Sequence, residues 1–438
     1  MSRTILRGRV LTFADEPKSL DDATSYRYIE DGEVEIADGR IVGVGPFDGA
    51  RDAATTIIDH RPNLILPGFI DPHIHFPQMQ VIGSHAAALL EWLNTYTFAE
   101  EQKFGDEVHA TRIASLFFDE LIRHGTTTAA AYCSVHPQSV DAFFSEAARR
   151  DMLMIAGKVM MDRNAPQGLL DTPQSGYDET KAGIEKWHGK GRALYAITPR
   201  FAITSTPEQL EMAEALAREF PDCHIQTHLS ENLAEIEFAR ELFPNLVDYT
   251  GIYERYHLLG PKTLLGHCIH LSHREVEIVS DTRSVAVFCP TSNMFIGSGL
   301  FDYERLHRRG ARIAVATDVG GGTSYSMLRT LDEGYKVLQL RGQRLNPLRS
   351  FYHMTLGNAR ALSLEDNIGA LVPGAAADVV VLNARATPQM ALRMETVSTL
   401  AEELFLLQTC GDDRAVVETY VSGIARKSQL PPTFSGAR

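Results

Sequence analysis

Eight short, continuous apolar runs lie between about residue 63 and residue 330, and amphipathic stretches of helical pattern separate them. The runs are NLILPGFI, TTTAAAY, MLMIAGKVMM, ALYAITPRF, CHIQTHL, TLLGHC, SVAVFCP and RIAVATD. Continuous hydrophobicity is typical of parallel strands that are buried on both faces. Eight strands that alternate with helices predict an α/β fold, a TIM (β/α)8 barrel, with a doubly wound open sheet as the alternative.

Side chains that bind metal ions stand at the ends of four of these runs. His73 and His75 end the first run two residues apart, so a strand would direct both imidazoles to one face. Three later runs end in His228, His267 and Asp318. An isolated His-x-His pair would be weak evidence, but a closed barrel gathers all its strand ends around one pocket. The sequence therefore predicts a site for a zinc-sized cation at that end of the barrel.

The two ends of the chain have a different pattern. Residues 33–45, EVEIADGRIVGVG, alternate around Asp38 and Gly39 and predict a β-hairpin. Near the other end, DVVVLNA and AVVETYVSGIA are also rich in β-forming residues. We predict one composite β-sandwich domain from residues 1–62 and 371–438, beside a catalytic barrel of residues 63–370.

Composition excludes several classes of protein. The chain has 438 residues, of which 44% are hydrophobic, enough for a large core and more than one domain. Its 56 acidic and 42 basic residues give a net charge of -14, which argues against a nucleic-acid or anionic-membrane surface. The sequence has no apolar stretch of about eighteen residues and no signal-peptide pattern, so a cytoplasmic protein is expected.

The cysteines indicate neither disulfides nor a cysteine metal site. All 5 are scattered, and no CxxC pair occurs. We expect each of them to be a small buried apolar residue in a reducing compartment.

The motifs together resemble the amidohydrolase superfamily: HxH after PGFID, a later HLSE, a GHC, a TD at the last strand, and LVPGAAADVVVL near the C-terminus. Longer segments resemble the guanine deaminase family within it, namely PHIHFPQ, LLEWLNTYTF, TPRFAITST, HLSENLAEI, CPTSNMFIGSGLF and TDVGGGTSYSML. The resemblance covers about residue 63 to the C-terminus. It implies zinc-dependent hydrolysis of guanine to xanthine and ammonia in purine catabolism, by a homodimer. The cytidine-deaminase fold, which also contains guanine deaminases, needs PCxxC cysteines that this sequence lacks.

The resemblance also implies roles for individual residues. The zinc ligands would be His73, His75, His228 and Asp318, with one coordination position left for water. Asp318 would also accept a proton from that water as general base, although a helix N-cap is its structural alternative. Glu231, in HLSE, would carry protons to the substrate, and His267 would orient the water and stabilise the oxyanion.

Substrate contacts follow from the same resemblance. Arg200 would donate to the purine carbonyl oxygen, Phe201 would form an apolar wall, and Gln78 would contact the ring-nitrogen edge. The structural alternatives are an ion-paired arginine, a core phenylalanine and a loop glutamine. The full predicted substrate-binding set is His75, Gln78, Arg200, Phe201, His228, Glu231 and Asp318. Trp92 is expected in a loop that forms part of a lid, or else in a domain or subunit contact.

Other functions stay open at this stage. The same machinery could act on a related ring, such as 8-oxoguanine, a pterin or a triazine. A barrel without catalysis, used as a scaffold, is a further alternative, but such proteins are expected to lack ligands. A second metal is not expected, because ITPRF lacks the lysine that forms a carbamate bridge in binuclear relatives. His270 and His273 are expected to be ordinary loop residues.

Overall fold

A computed structural model of the chain describes residues 3–49, 55–85 and 88–431. The described strands form two sheets, one made from the two chain ends and one that curls into a barrel. The strands are β1 (Arg3–Phe13), β2 (Tyr26–Ala37), β3 (Arg40–Pro46), β4 (Thr55–Pro67), β5 (Phe69–His75), β6 (Thr126–Tyr132), β7 (Leu153–Gly157), β8 (Val159–Met160), β9 (Ala193–Pro199), β10 (His224–Leu229), β11 (Thr263–His267), β12 (Val285–Phe288), β13 (Arg312–Val315), β14 (Val379–Leu382), β15 (Val416–Val421) and β16 (Ile424–Ala425).

Helices connect the strands of the barrel, and two further helices lie between β14 and β15 of the terminal sheet. The helices are α1 (Leu89–Trp92), α2 (Phe98–Glu101), α3 (Glu107–Arg123), α4 (Pro137–Arg150), α5 (Pro173–Trp187), α6 (Pro207–Glu219), α7 (Leu233–Leu242), α8 (Tyr249–Arg255), α9 (His273–Asp281), α10 (Pro290–Phe295), α11 (Tyr303–Arg308), α12 (Met327–Leu340), α13 (Pro347–Tyr352), α14 (Asn358–Ala361) and, as the two between β14 and β15, α15 (Pro388–Met394) and α16 (Leu400–Cys410). Many begin at a capping side chain, as α6 does, where the Thr206 hydroxyl accepts from the Gln209 backbone N–H. Among the described residues, no helix combines the length and hydropathy that a membrane span requires.

The barrel sheet is parallel, in the order β5, β6, β7, β9, β10, β11, β12 and β13, with β8 as a short extra strand beside β9. The first strand and the segment that directly follows the last strand, β13, meet through backbone hydrogen bonds: Asp318 N–H donates to His73 O at 2.9 Å, and His75 N–H donates to Val319 O at 3.2 Å. The predicted (β/α)8 barrel is confirmed, and the open sheet is excluded. The hydrogen bonds that close the barrel therefore hold His73 and His75 next to Asp318, and all three are predicted metal-site residues.

The second sheet contains both chain ends, as predicted. Its seven strands run in the order β16, β15, β14, β4, β1, β2 and β3, and the β1–β4 pair is parallel while the others are antiparallel. The predicted hairpin is β2–β3, and Asp38 and Gly39 adopt the positive φ angles of 50° and 75° that its tight turn requires.

The first apolar run differs from its prediction as a single strand. The structure divides it at Gly68, with β4 ending in the terminal sheet and β5 beginning the barrel. A Cβ on Gly68 would lie 2.2 Å from Thr127 Oγ1, so the crossing between the two sheets needs glycine. Both halves are buried, so hydrophobicity alone could not show the break.

The predicted domain boundaries stay a prediction, and residues 64–67 pair with β14 in the terminal sheet.

The cysteine prediction is right for four residues and wrong for one. All five thiols are free; Cys133, Cys223, Cys268 and Cys289 are buried, whereas Cys410 is exposed. Cys410 is the last residue of α16, where the helix reaches the surface.

Candidate metal centre and active site

Four histidines and an aspartate from four strand ends meet inside the barrel mouth. His73 and His75 come from the end of β5, His228 from β10 and His267 from β11, and Asp318 follows β13. Each is at most 9% exposed. His267 and Asp318 have φ angles of 73° and 50°, a strained region that non-glycine residues enter mainly at functional sites.

The polar atoms of this group are close together. Asp318 Oδ1 lies 3.4 Å from His73 Nε2 and 3.2 Å from His75 Nε2, and His228 Nε2 lies 3.2 Å from His75 Nε2. One ligand atom each from His73, His228 and His267 lies within 4.8 Å of the others. The structure thus brings all five predicted side chains into one cluster.

The imidazoles have nitrogen atoms left over for a cation. Within the described part of the chain, neither ring nitrogen of His73 has a hydrogen-bond partner, and His75 Nδ1 has none. Buried polar atoms without partners are rare and costly, and a bound cation would satisfy the one lone-pair nitrogen that each neutral ring has. His228 Nδ1 lies 2.7 Å from Arg200 O, so the neutral ring donates there and keeps its Nε2 lone pair for the cluster. Nitrogen donors with one carboxylate fit a zinc-type ion.

Electrostatics keeps this group in the protonation state that metal binding requires. Burial lowers the pKa of His228 well below its usual value, helped by the neighbouring histidines, and lowers the pKa of His75 and of His267, the last to about 3. Burial opposes ionisation of Asp318, but its close contacts with the imidazoles of His73 and His75 hold its pKa well below the usual range. The result is that the neutral form is favoured for His75, His228 and His267, beside an ionised carboxylate.

Glu231 lies beside this cluster and is 3% exposed. Its Oε2 is 3.4 Å from His267 Nε2, and its Oε1 accepts a 2.8 Å hydrogen bond from Ser298 Oγ. Burial, then the charges of Asp318 and Glu235, raises its pKa well above the usual value. The raised pKa favours the protonated carboxyl, which is the form that can donate a proton inside the pocket.

His267 lies between two carboxyl groups. Asn293 Nδ2 donates to its Nδ1 at 2.8 Å, which places the proton of the neutral ring on Nε2. That Nε2 is 3.4 Å from Glu231 and 3.9 Å from Asp318 Oδ2. The sequence reasoning assigned no role to Asn293 or Ser298, although both stand in CPTSNMFIGSGLF, a segment that carries the family resemblance.

A pocket opens over the cluster, and the predicted substrate-binding residues line it. The lining residues are His75, Gln78, Leu89, Trp92, Leu93, Arg200, Phe201, His228, Glu231, His267, Ile296, Asp318 and Gly321. Trp92 belongs to helix α1, not to a loop, and is 3% exposed on the pocket wall. The lining combines polar groups with apolar side chains, which suits a flat, polar ring.

Glu101 is a residue that the sequence reasoning missed. It accepts a hydrogen bond from Gln78 Nε2 at 2.8 Å and one from Arg200 Nη1 at 2.6 Å. Arg200 is therefore both the ion-paired arginine of the structural alternative and a pocket residue. In the sequence, Glu101 follows the aromatic segment LLEWLNTYTF, and this pattern is typical of an exposed helix residue, so it did not indicate a buried role.

The two histidines expected to be ordinary loop residues lie outside the pocket lining. His273 begins α9 with an 85% exposed side chain. His270 Nε2 lies 2.7 Å from Ser298 O, so it supports the turn that carries the Ser298 hydroxyl.

Comparisons with known proteins agree with this geometry. The amidohydrolase family matches residues 64–425. Guanine deaminase of Escherichia coli (strain K12) is 45% identical over 419 residues, which cover 94% of this chain and 95% of that protein. The solved E. coli guanine deaminase superposes with a TM-score of 0.94 at 44% identity, covering 97% of this chain and 99% of that one. Guanine deaminase from C. acetobutylicum, solved with guanine in its active site, superposes with a TM-score of 0.87 at 28% identity over 97% and 99% of the two chains.

The family match spans most of the chain, and the E. coli relative matches nearly all of it. The chain therefore belongs to the amidohydrolase family and, within it, to the guanine deaminases.

Proposed function

We propose that this protein hydrolyses guanine to xanthine and ammonia in purine catabolism, with one zinc ion per chain. One observation carries the proposal: the buried carboxyl of Glu231, whose pKa is raised, lies 3.4 Å from His267, at the edge of the imidazole–carboxylate cluster. Two relatives support the choice of substrate, the E. coli protein named guanine deaminase and the C. acetobutylicum enzyme with bound guanine.

His73, His75, His228 and Asp318 would hold the zinc ion. The unpartnered nitrogens of His73 and the short contacts of Asp318 with two imidazoles support this ligand set. When bound, zinc would lower the pKa of a water molecule towards neutrality and so supply hydroxide at neutral pH.

Glu231 and Asp318 would move the protons. Asp318 accepts a proton from the attacking water, because its carboxylate is ionised in the pocket. Glu231 gives its proton to the ring nitrogen beside the amino-bearing carbon, regains one from the hydroxyl group that the attack leaves on that carbon, and gives it to the departing amino group. The proton held by Asp318 then returns to Glu231 for the next cycle. Water adds to that carbon, the C–N bond breaks, and guanine plus water yields xanthine plus ammonia. One buried carboxyl with a raised pKa suits both proton transfers.

His267 and the pocket walls would orient the reacting groups. His267 Nε2–H faces both carboxyl groups and can donate to the attacking oxygen, stabilising the negative charge that develops there. Arg200 donates to the purine carbonyl oxygen, Gln78 meets the ring-nitrogen edge, and Phe201 packs against the ring. A site with such buried polar groups rejects rings that leave them unpaired.

The test measures ammonia release from guanine, adenine, cytosine, 8-oxoguanine, a pterin and a chlorinated triazine. Guanine should have the highest kcat/KM, and metal removal by a chelator should abolish turnover until zinc is restored. Turnover that persists after verified zinc removal would overturn the mechanism. A higher kcat/KM for another ring would overturn the substrate.

The contact with the carbonyl oxygen has its own test. Arg200→Ala should raise KM for guanine on the order of 10–100-fold, because a buried charge-assisted hydrogen bond is lost, while zinc content stays at wild-type level. Arg163→Ala is the matched control, since that guanidinium donates to Ala202 O at 3.0 Å outside the pocket lining. Unchanged substrate selectivity in Arg200→Ala would refute the contact.

Three further features belong to the proposal. A homodimer is the family expectation and the commonest symmetry of soluble oligomers, and light scattering on the purified protein would measure it. A cytoplasmic location accords with the scattered, unpaired cysteines. The two separate sheets support a partition into a barrel, proposed as residues 63–370, and a terminal β-domain, proposed as 1–62 with 371–438, while residues 64–67 pair within the terminal sheet.

A further inference from the structure

We infer that Glu101 is the positioning residue for substrate recognition, because its single carboxylate orients both Gln78 and Arg200. This inference rests on the proposed function. It adds a specificity rule: the ligand must present an N–H group to Gln78 and an acceptor oxygen to Arg200.

Glu101 joins side chains from two distant parts of the barrel. It ends helix α2 and is 1% exposed. Gln78 lies in the helical turn that follows β5, and Arg200 directly follows β9. The 2.8 Å bond to Gln78 Nε2 uses Oε1, and the 2.6 Å bond to Arg200 Nη1 uses Oε2. Each carboxylate oxygen therefore has one recognition side chain as its donor.

The bond to Glu101 sets the orientation of the Gln78 amide. A carboxylate only accepts, so the amide must turn its NH2 group towards it and its oxygen away. Gln78 Oε1 is buried and has no hydrogen-bond partner among the described residues. A Cβ at Gly320 would lie 2.0 Å from that oxygen, so glycine leaves the space it needs. Because Gln78 also lines the pocket, a ring N–H that reached this oxygen would satisfy it, whereas a bare ring nitrogen would be repelled.

The same carboxylate holds the Arg200 guanidinium in place. Arg200 is 3% exposed, and removing one partner of a buried ion pair leaves an expensive unpaired charge. Phe98, on the same helix as Glu101, has its ring centre 5.5 Å from Arg200 Cζ and packs against the cation. With one N–H group directed to Glu101, the guanidinium keeps other donors for a carbonyl oxygen. Guanine carries a carbonyl oxygen and ring N–H groups, whereas adenine has no carbonyl.

The test is Glu101→Gln, which preserves size but replaces one acceptor oxygen with an NH2 group. That group would face either Gln78 or Arg200 as a second donor, so one contact becomes repulsive. KM for guanine should rise roughly 10–100-fold while kcat changes less than about threefold, because the proton-transfer groups are untouched. Zinc content should match wild type. Glu101→Asp keeps both acceptors and should restore part of the affinity.

Glu100→Gln is the matched control. Glu100 is the preceding residue, is 8% exposed, and pairs with Lys103 at 2.6 Å instead of a pocket residue. Its variant should keep the wild-type KM. Double-mutant cycles of Glu101→Gln with Gln78→Ala and with Arg200→Ala should be non-additive in KM, since Glu101 acts through those side chains.

The outcomes separate this inference from the proposed function. Additive cycles, or a Glu101→Gln enzyme with the KM of Glu100→Gln, would overturn the role of Glu101 while guanine turnover by wild type stands. Absence of ammonia release from guanine by zinc-loaded wild type would overturn the proposed function and this inference together. A variant that loses zinc or melts far below wild type, with Glu101→Asp equally impaired, would show a structural role and also refute it.

Discussion

Ser298 donates a hydrogen bond of 2.8 Å from its hydroxyl to Oε1 of Glu231. Both side chains are buried, at 4% and 3% exposure. The hydroxyl therefore fixes one carboxyl oxygen while the other, Oε2, faces His267 at 3.4 Å. A carboxyl that must give a proton twice in one cycle benefits from a single defined orientation.

Ser298→Ala should lower kcat for guanine about tenfold with little change in KM, because the loss of one orienting hydrogen bond is worth about 1 kcal/mol or slightly more. Steady-state kinetics of the purified variant measure this. Ser280→Ala is the control, since its hydroxyl donates to Arg309 O at the surface. Equal kcat values for the two variants would contradict the orienting role.

Glu231→Gln should reduce kcat on the order of 10²–10⁴-fold, because the amide cannot supply the proton. Zinc content and binding of the product xanthine, measured by calorimetry, should remain close to wild type. Glu237→Gln, on the following helix with a side chain 52% exposed, should leave kcat unchanged. Substantial turnover by Glu231→Gln would mean that another group carries the proton.

His228 and His267 should differ in their effect on zinc content when each is changed to asparagine. His228→Asn should lose most of the zinc, because His228 is a proposed ligand. His267→Asn should retain about one zinc per chain and lose kcat, because His267 is proposed to act on the attacking oxygen. Elemental analysis after dialysis provides the measurement. Zinc loss in His267→Asn would instead identify His267 as a ligand. The geometry permits this, because its ligand atom lies within 4.8 Å of those of His73 and His228.

A buried histidine away from the site predicts a pH dependence of stability. His224 Nε2 lies 2.8 Å from Leu362 O, and burial lowers the pKa of His224 to about 4. The unfolded chain, with a histidine pKa of about 6.5, takes up this proton as pH falls below that value, but the folded chain does not until about pH 4. The stabilisation is therefore complete above about pH 6.5 and is lost as pH falls towards 4, by about 3 kcal/mol at most.

His224→Gln keeps a donor for Leu362 O without the titration. Between pH 7 and pH 4.5, its melting temperature should fall less than that of wild type. His273→Gln, at an 85% exposed position, should follow the wild-type curve. Parallel curves for His224→Gln and wild type would refute the prediction.

The barrel and the cluster of His73, His75, His228, His267 and Asp318 could be predicted because they depend on local patterns. Continuous apolar runs reveal buried strands, and a barrel brings every strand end to one pocket, so the residues at those ends must meet. The terminal β-domain followed from the different pattern of the two chain ends. The break at Gly68 did not, because the strands on both sides of it are equally apolar.

The residues that orient the active-site side chains could not be predicted from local patterns. Glu101, Asn293 and Ser298 each reach a functional side chain that is at least 23 residues away in the sequence. Glutamate, asparagine and serine are common at helix and turn positions, so their local sequence carries no signal of such a contact. By itself the sequence determined the fold and the chemical groups at its strand ends, because the hydrophobic pattern that predicts each strand is a property of consecutive residues. Only the tertiary structure decided which polar residues orient those groups. A hydrogen bond depends on the distance between two side chains in space, and that distance cannot be inferred from their separation along the chain.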